Sequence, residues 1–221
     1  GDHRDLHSFP TRRSSDLTQP TGTFLYTGGV YSLGSETLTL SRIYNYGDYT
    51  VSTNFYNTIN PLYYSLNNQS TLIRYSINYG NVAVLNNGGA TTITLASGQP
   101  LTVSGITTSS NIDYLNVINY GNIDVVGLNI GTNQLNVSGI TYQLSATRLM
   151  KNVLNEGNIT VANMTGTGLI FIGGLVNRNY AGDLHINGVT KASQGILNSI
   201  NYGAISTSYG LKAAKDRKSV V

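Results

Sequence analysis

The chain has 221 residues, of which 13 are Lys or Arg, 10 are Asp or Glu and none is Cys. An apolar fraction of 40% with only 10% charge excludes the composition of a highly charged disordered chain, and the lack of Cys excludes a disulfide framework and a Cys-based metal site. No apolar run reaches the ~20 residues that a membrane-spanning helix needs; the longest, Gly168 to Val176, reads as a buried strand and turn.

The first stretch, GDHRDLHSFPTRRSSDL (1–17), is unlike the Asn-, Gly- and Thr-rich interior. Back-translated in one frame, it resembles a common short-read sequencing adapter. The last six residues, DRKSVV (216–221), resemble the reverse complement of the same adapter running into a stop codon. Segments 1–17 and 216–221 are therefore expected to be adapter-derived and to take no part in the fold, with 18–215 a fragment of a longer protein. Setting them aside removes Arg4, Arg12, Arg13, Arg217 and Lys218 together with Asp2, Asp5, Asp16 and Asp216, and leaves eight basic and six acidic residues. The sequence pI of 9.0 is then partly borrowed from the ends, and a near-neutral interior without a basic cluster argues against nucleic-acid binding.

One phrase recurs along the interior: SRIYNYGDYTV (41–51), YSINYGNVAV (75–84), NVINYGNIDV (116–125), NVLNEGNITV (152–161) and NSINYGAIST (198–207). Aligned on Asn45, Asn78, Asn119, Asn155 and Asn201, the copies share an apolar residue five before, another one before, Gly two after, and an apolar or aromatic residue four after; Val or Thr stands six after. The last positions alternate with small or polar residues, the period of a strand with one buried face. Asn-x-Gly between them is turn chemistry, expected to exploit positive φ at the Gly. The segment SATRLMKNVLNEG (145–157) could also form a short helix, but its alignment with strand-like copies favours strand.

A second phrase lies between the first: LTVSGIT (101–107) and LNVSGIT (135–141), with VANMTGTG (161–168) and HINGVTK (185–191) as looser versions. Successive Asn anchors lie 33, 41, 36 and 46 residues apart, and Asn179 is a weaker anchor within the last gap. Fixed corners with variable spacing predict an all-β, right-handed parallel β-helix (β-solenoid) built from imperfect N-[YE]-G-x-[IV]-x-V coils, with apolar residues inside and Asn and Gly at the corners. An antiparallel β-sandwich is the competing architecture, and it would not require phrases to repeat at fixed offsets.

At Ile172 to Leu184, IGGLVNRNYAGDL, the chain resembles a GLUG-type repeat through Gly173, Gly174, Leu175, Val176, Asn179, Gly182 and Leu184; Asn177 replaces a Gly and Ala181 is inserted. The resemblance implies large bacterial cell-surface proteins, namely adhesins and the non-catalytic regions of secreted peptidases.

Tyr46, Tyr79, Tyr120 and Tyr202 each follow a corner Asn, with Glu156 standing in the fourth copy. They read either as a stacked ladder that protects the backbone or as an exposed aromatic stripe for contacts with sugar or protein. Tyr56, Tyr63 and Tyr64 fall in what reads as a longer insertion containing Pro61, a second candidate contact surface. β-Helix enzymes need clustered carboxylates, and here Glu36, Asp48, Asp113, Asp124, Glu156 and Asp183 are scattered. Position +3 carries Asn81, Asn122 and Asn158, expected to form a hydrogen-bonded ladder. His185 has no second His for a metal pair, and Thr91 to Thr94 is a lone Thr patch of the sort that ice binding would need at every coil. Neither metal nor cofactor is expected. The composite expectation is a non-enzymatic, extracellular or cell-surface segment, an adhesin stalk or ligand-presenting solenoid. Its partners would be a host glycan or surface protein and further repeats of the parent chain, with neither nucleic acid nor membrane insertion. The alternative is a polysaccharide-acting β-helix lyase or hydrolase, or the non-catalytic region of a secreted peptidase.

Overall fold

The computed structural model describes residues 25–27, 30–32, 37–51, 56–65, 70–85, 93–94, 100–145, 147–179 and 195–208. The adapter-like ends, the looser phrase at 185–191 and His185 lie outside the described residues. Every described strand pairing is parallel, and each strand pairs with its counterpart one coil away. The first sheet contains Leu25–Thr27, Tyr56–Ile59, Leu101–Ser104, Leu135–Ser138 and Ile170–Gly173. The second runs through Leu38–Ser41, Thr71–Asn78, Ile112–Asn119, Leu149–Asn155 and Gly195–Leu197. The third contains Tyr49–Val51, Val82–Leu85, Ile123–Val126, Ile159–Ala162 and Ile205–Thr207. The chain visits the three in turn and climbs one strand per circuit, which is a parallel β-helix.

The register follows the Asn anchor. Asn45 pairs with Asn78, Asn78 with Asn119, Asn119 with Asn155 and Asn155 with Asn201. Positions four and six after the anchor also meet their equivalents in every adjacent coil, as in Val82 with Ile123 and Val84 with Val125. Segment 149–155 is strand, not helix. A one-residue slip would turn the buried Val and Ile of the third sheet outward, so burial enforces the register.

The anchor side chains form a column inside the coil. The Nδ2 of Asn45, Asn78, Asn119 and Asn155 donates to Oδ1 of the next anchor at 2.6, 2.7, 2.7 and 2.7 Å. The Nδ2 of every anchor also donates to the carbonyl of the Gly two residues on: Asn45 to Gly47 at 3.1 Å, Asn78 to Gly80 at 2.8 Å, and Asn119, Asn155 and Asn201 to Gly121, Gly157 and Gly203 at 2.9 Å. Asn78, Asn119 and Asn155 are fully buried, so these bonds meet a need that water cannot. The corner Gly is required for a reason other than positive φ. A Cβ on Gly80, Gly121, Gly157 or Gly203 would collide with the carbonyl of the corner Gly in the preceding coil.

The second phrase supplies the opposite wall. A Cβ on Gly105, Gly139 or Gly174 would strike the Asn119, Asn155 or Asn201 side chain. The G-G-L-V stretch is this corner again: Ser138 pairs with Gly173, and Leu175 is buried with Ile106 and Ile140. Residues 161–168 are not a copy of it, because Val161 and Ala162 belong to a strand of the third sheet, whereas the LTVS and LNVS strands lie in the first. Nor is Asn179 an anchor: it pairs with Leu144 while the column passes directly from Asn155 to Asn201. Asn column and Gly wall divide the interior into two apolar cores. One holds Val82, Val84, Val103, Ile123, Val125 and Val137 among others, and the second Ile73, Ile106, Ile112, Tyr114, Val117 and Met150.

A second bend is not evident in the repeats. Three residues before the anchor, Arg42, Tyr75, Asn116, Asn152 and Asn198 all have φ between 47 and 57°, a left-handed conformation that Asn tolerates better than Arg or Tyr. This bend puts the apolar residue one before the anchor on the outside, so Tyr44 and Ile200 are exposed and do not fill the core.

Two outcomes test this account. Asn119→Ala strips a donor from Asn155 Oδ1 and an acceptor from Asn78 Nδ2, and should cost about 3 kcal/mol in urea denaturation; Gly121→Ala should cost at least as much. Burial pushes the Tyr114 phenol above its ordinary value of 10. Thr141 tempers the shift, although among the described residues Tyr114 Oη has no hydrogen-bond partner. Above pH 10 the unfolded chain loses this proton and the folded chain keeps it. Stability is therefore full below pH 10 and falls by up to about 1.4 kcal/mol per unit above it. In denaturation series from pH 9 to 11, Tyr114→Phe should lose that share of the slope.

Candidate functional site: an aromatic corner ladder

Because the anchor Asn points inward, the next residue points out at the corner. Tyr79 N–H donates to Asn45 O, Tyr120 N–H to Asn78 O, Glu156 N–H to Asn119 O and Tyr202 N–H to Asn155 O, each at 2.8 Å. The backbone thus places these side chains in one file, one coil apart. The Tyr46 and Tyr79 rings stack with centroids 4.8 Å apart and planes 5° from parallel, and Tyr79 and Tyr120 do so at 5.3 Å and 12°. Exposure is 67% at Tyr46, 40% at Tyr79, 38% at Tyr120 and 70% at Tyr202. The rings of Tyr46, Tyr79 and Tyr120 thus stack on one another and, like that of Tyr202, are open to solvent. The Tyr79 phenol, in the middle of the stack, is raised above 10 by desolvation first and then by Tyr46, Tyr120 and Tyr44. Tyr44 and Tyr75 are exposed as well and add to the aromatic area of these coils.

Tyr63 does not belong to the second candidate surface. The stretch around Pro61 is an ordinary circuit of the coil, not an insertion: Ile59 pairs with Val103, and Leu62 N–H donates to Ile106 O. Tyr63 turns into the core with 0% exposure, its hydroxyl 3.1 Å from Thr71 Oγ1, and it offers nothing to a ligand. Tyr56 lies in Tyr56–Ile59 and Tyr64 in Tyr63–Ser65, which pairs with Val30–Ser32.

Other polar groups are tied into the stack. Asp48 Oδ1 accepts from Asn81 N–H, Asn81 Oδ1 from Asn122 N–H, Asn122 Oδ1 from Asn158 N–H and Asn158 Oδ1 from Ala204 N–H, at 2.7 to 2.9 Å. The expected +3 ladder exists, but it runs from side chain to backbone. Arg148 Nη1 reaches Asp113 Oδ2 at 3.3 Å and Ser70 Oγ at 2.9 Å, while Asp113 Oδ1 accepts from Leu149 N–H at 2.7 Å, so this clamp ties three coils. Elsewhere the Arg178 guanidinium lies 5.5 Å from the centroids of both Tyr142 and Phe171. Among the described residues no three His, Asp or Glu side chains gather where they could hold a metal ion, and none forms a helix long and apolar enough to cross a membrane.

Comparison with protein families, with curated proteins and with solved structures finds no match for this chain.

The ladder predicts a graded response at its centre. Tyr79→Phe keeps both stacking contacts and should leave stability within about 0.5 kcal/mol. Tyr79→Ala should cost about 1 kcal/mol or more. Urea midpoints of the two variants compare them directly.

Proposed function

We propose that this chain is a structural and ligand-presenting segment of a large bacterial surface or secreted protein, an adhesin stalk or binding solenoid rather than an enzyme. The observation that carries the reading is that the fold does not need the exposed Tyr. Glu156 occupies the same corner with the same 2.8 Å backbone bond as Tyr79, Tyr120 and Tyr202. Asn and Gly alone meet the demands of the corner, so an aromatic file left in water is suited to contact. From Tyr46 to Tyr120 the facing ring surfaces are used within the file, and what it offers outward there is a row of hydroxyls and ring edges. Such a row fits the hydroxyls of an extended glycan or a polar strip on a protein. The G-G-L-V corner suits the same reading, because its glycines answer to steric demands of the scaffold.

The test is binding of the purified chain to a glycan array and to intact host cells, with Tyr46, Tyr79, Tyr120 and Tyr202 replaced together by Ser. A loss of at least tenfold (about 1.4 kcal/mol) with an unchanged circular dichroism spectrum is expected. Equal binding by the two proteins would remove the Tyr file as the contact surface.

A further inference from the structure

The file of corner side chains is interrupted once. Tyr46, Tyr79 and Tyr120 stack in successive coils, Glu156 takes the next corner, and Tyr202 takes the one after it. Tyr120 therefore presents a ring face to the rung above it, and Tyr202 stands two coils from Tyr120. With one strand spacing per coil, the Tyr120 and Tyr202 corners lie about 10 Å apart, and exposed Glu156 occupies the corner between them. Among the described residues no Lys or Arg pairs with that carboxylate.

We propose that Tyr120, Glu156 and Tyr202 form a notch for a quaternary ammonium group, such as the trimethylammonium head of a choline-type ligand. Size decides between cations. A cation held midway between the two corners would lie about 5 Å from each ring, within the ~6 Å reach of a cation–π contact. A trimethylammonium head fills that distance on both sides at once. A planar guanidinium stacks closer than this and could touch only one ring well. Charge decides between an ammonium and a neutral group of the same shape, because Glu156 supplies the only formal charge in the file. The proposal rests on the reading of the Tyr file as a contact surface, and it adds one ligand class at one rung.

The experiment uses the full chain and follows tyrosine resonances by NMR during titration with choline chloride and, separately, with 3,3-dimethylbutanol, its neutral isostere. Shifts should be confined to the Tyr120 and Tyr202 rings, with choline at least tenfold tighter than the isostere. Glu156→Gln should weaken choline about tenfold. Glu156→Tyr should complete the stack, raise the melting temperature and abolish the response, which separates loss of the notch from loss of the fold. Equal affinity for choline and its isostere, or a Glu156→Tyr protein that responds as the wild type does, would overturn the proposal. Either result leaves the glycan-array test of the wider surface intact, since that depends on Tyr46 and Tyr79 as well.

Discussion

The column of anchor asparagines is the interaction on which the remainder of this structure depends. An Asn side chain has two amide protons and one carbonyl, and each buried member of the column uses all of them. One proton goes to the next Asn, the other to its own corner Gly, and the carbonyl accepts from the coil before. Buried amides without these partners would each cost several kcal/mol. The column sharpens the register that burial of Val and Ile sets, because a two-residue shift would keep the aliphatic face buried but would break the amide ladder. The glycines are a consequence of it. Gly80, Gly121 and Gly157 let successive corners close up, and Gly105, Gly139 and Gly174 leave room for the amides on the facing wall.

This division of labour frees the outside. Once polar satisfaction and close approach are handled within the coil, the outward corner residue is under no structural demand beyond its backbone bond. Tyr and Glu are equally acceptable there. The exposed rings gain from stacking on one another, so the surface is ordered in advance, and a ligand would meet it without the entropic cost of gathering loose side chains.

Much of this is legible in the residues. Asn-x-Gly with apolar residues at +4 and +6 signals the coil and its register, and once the Asn is known to be buried, period-two alternation turns the Tyr file outward. Three features are hidden for identifiable reasons. The left-handed bend before the anchor is occupied by Arg42 and Tyr75 as well as by Asn116, Asn152 and Asn198, so no common residue type announces it. Without that bend, the apolar residue before the anchor looks like core. The burial of Tyr63 is masked by Pro61, which reads as a loop but stands where other coils have Gly105 and Gly139. The role of the corner Gly is not readable from any one phrase, because its need is set by the coil before it.

The amide column also has a direction. Every Nδ2 faces the C-terminal neighbour and every Oδ1 faces the N-terminal one, and the bond from Nδ2 to the local Gly carbonyl prevents any member from turning over. The side-chain dipoles consequently add along the axis, like magnets laid end to end. Two such columns brought together by a two-fold axis would set donor against donor or acceptor against acceptor. Brought together head to tail, they would continue the pattern without a break. The amides thus give the rod a polarity that any end-to-end contact would have to respect.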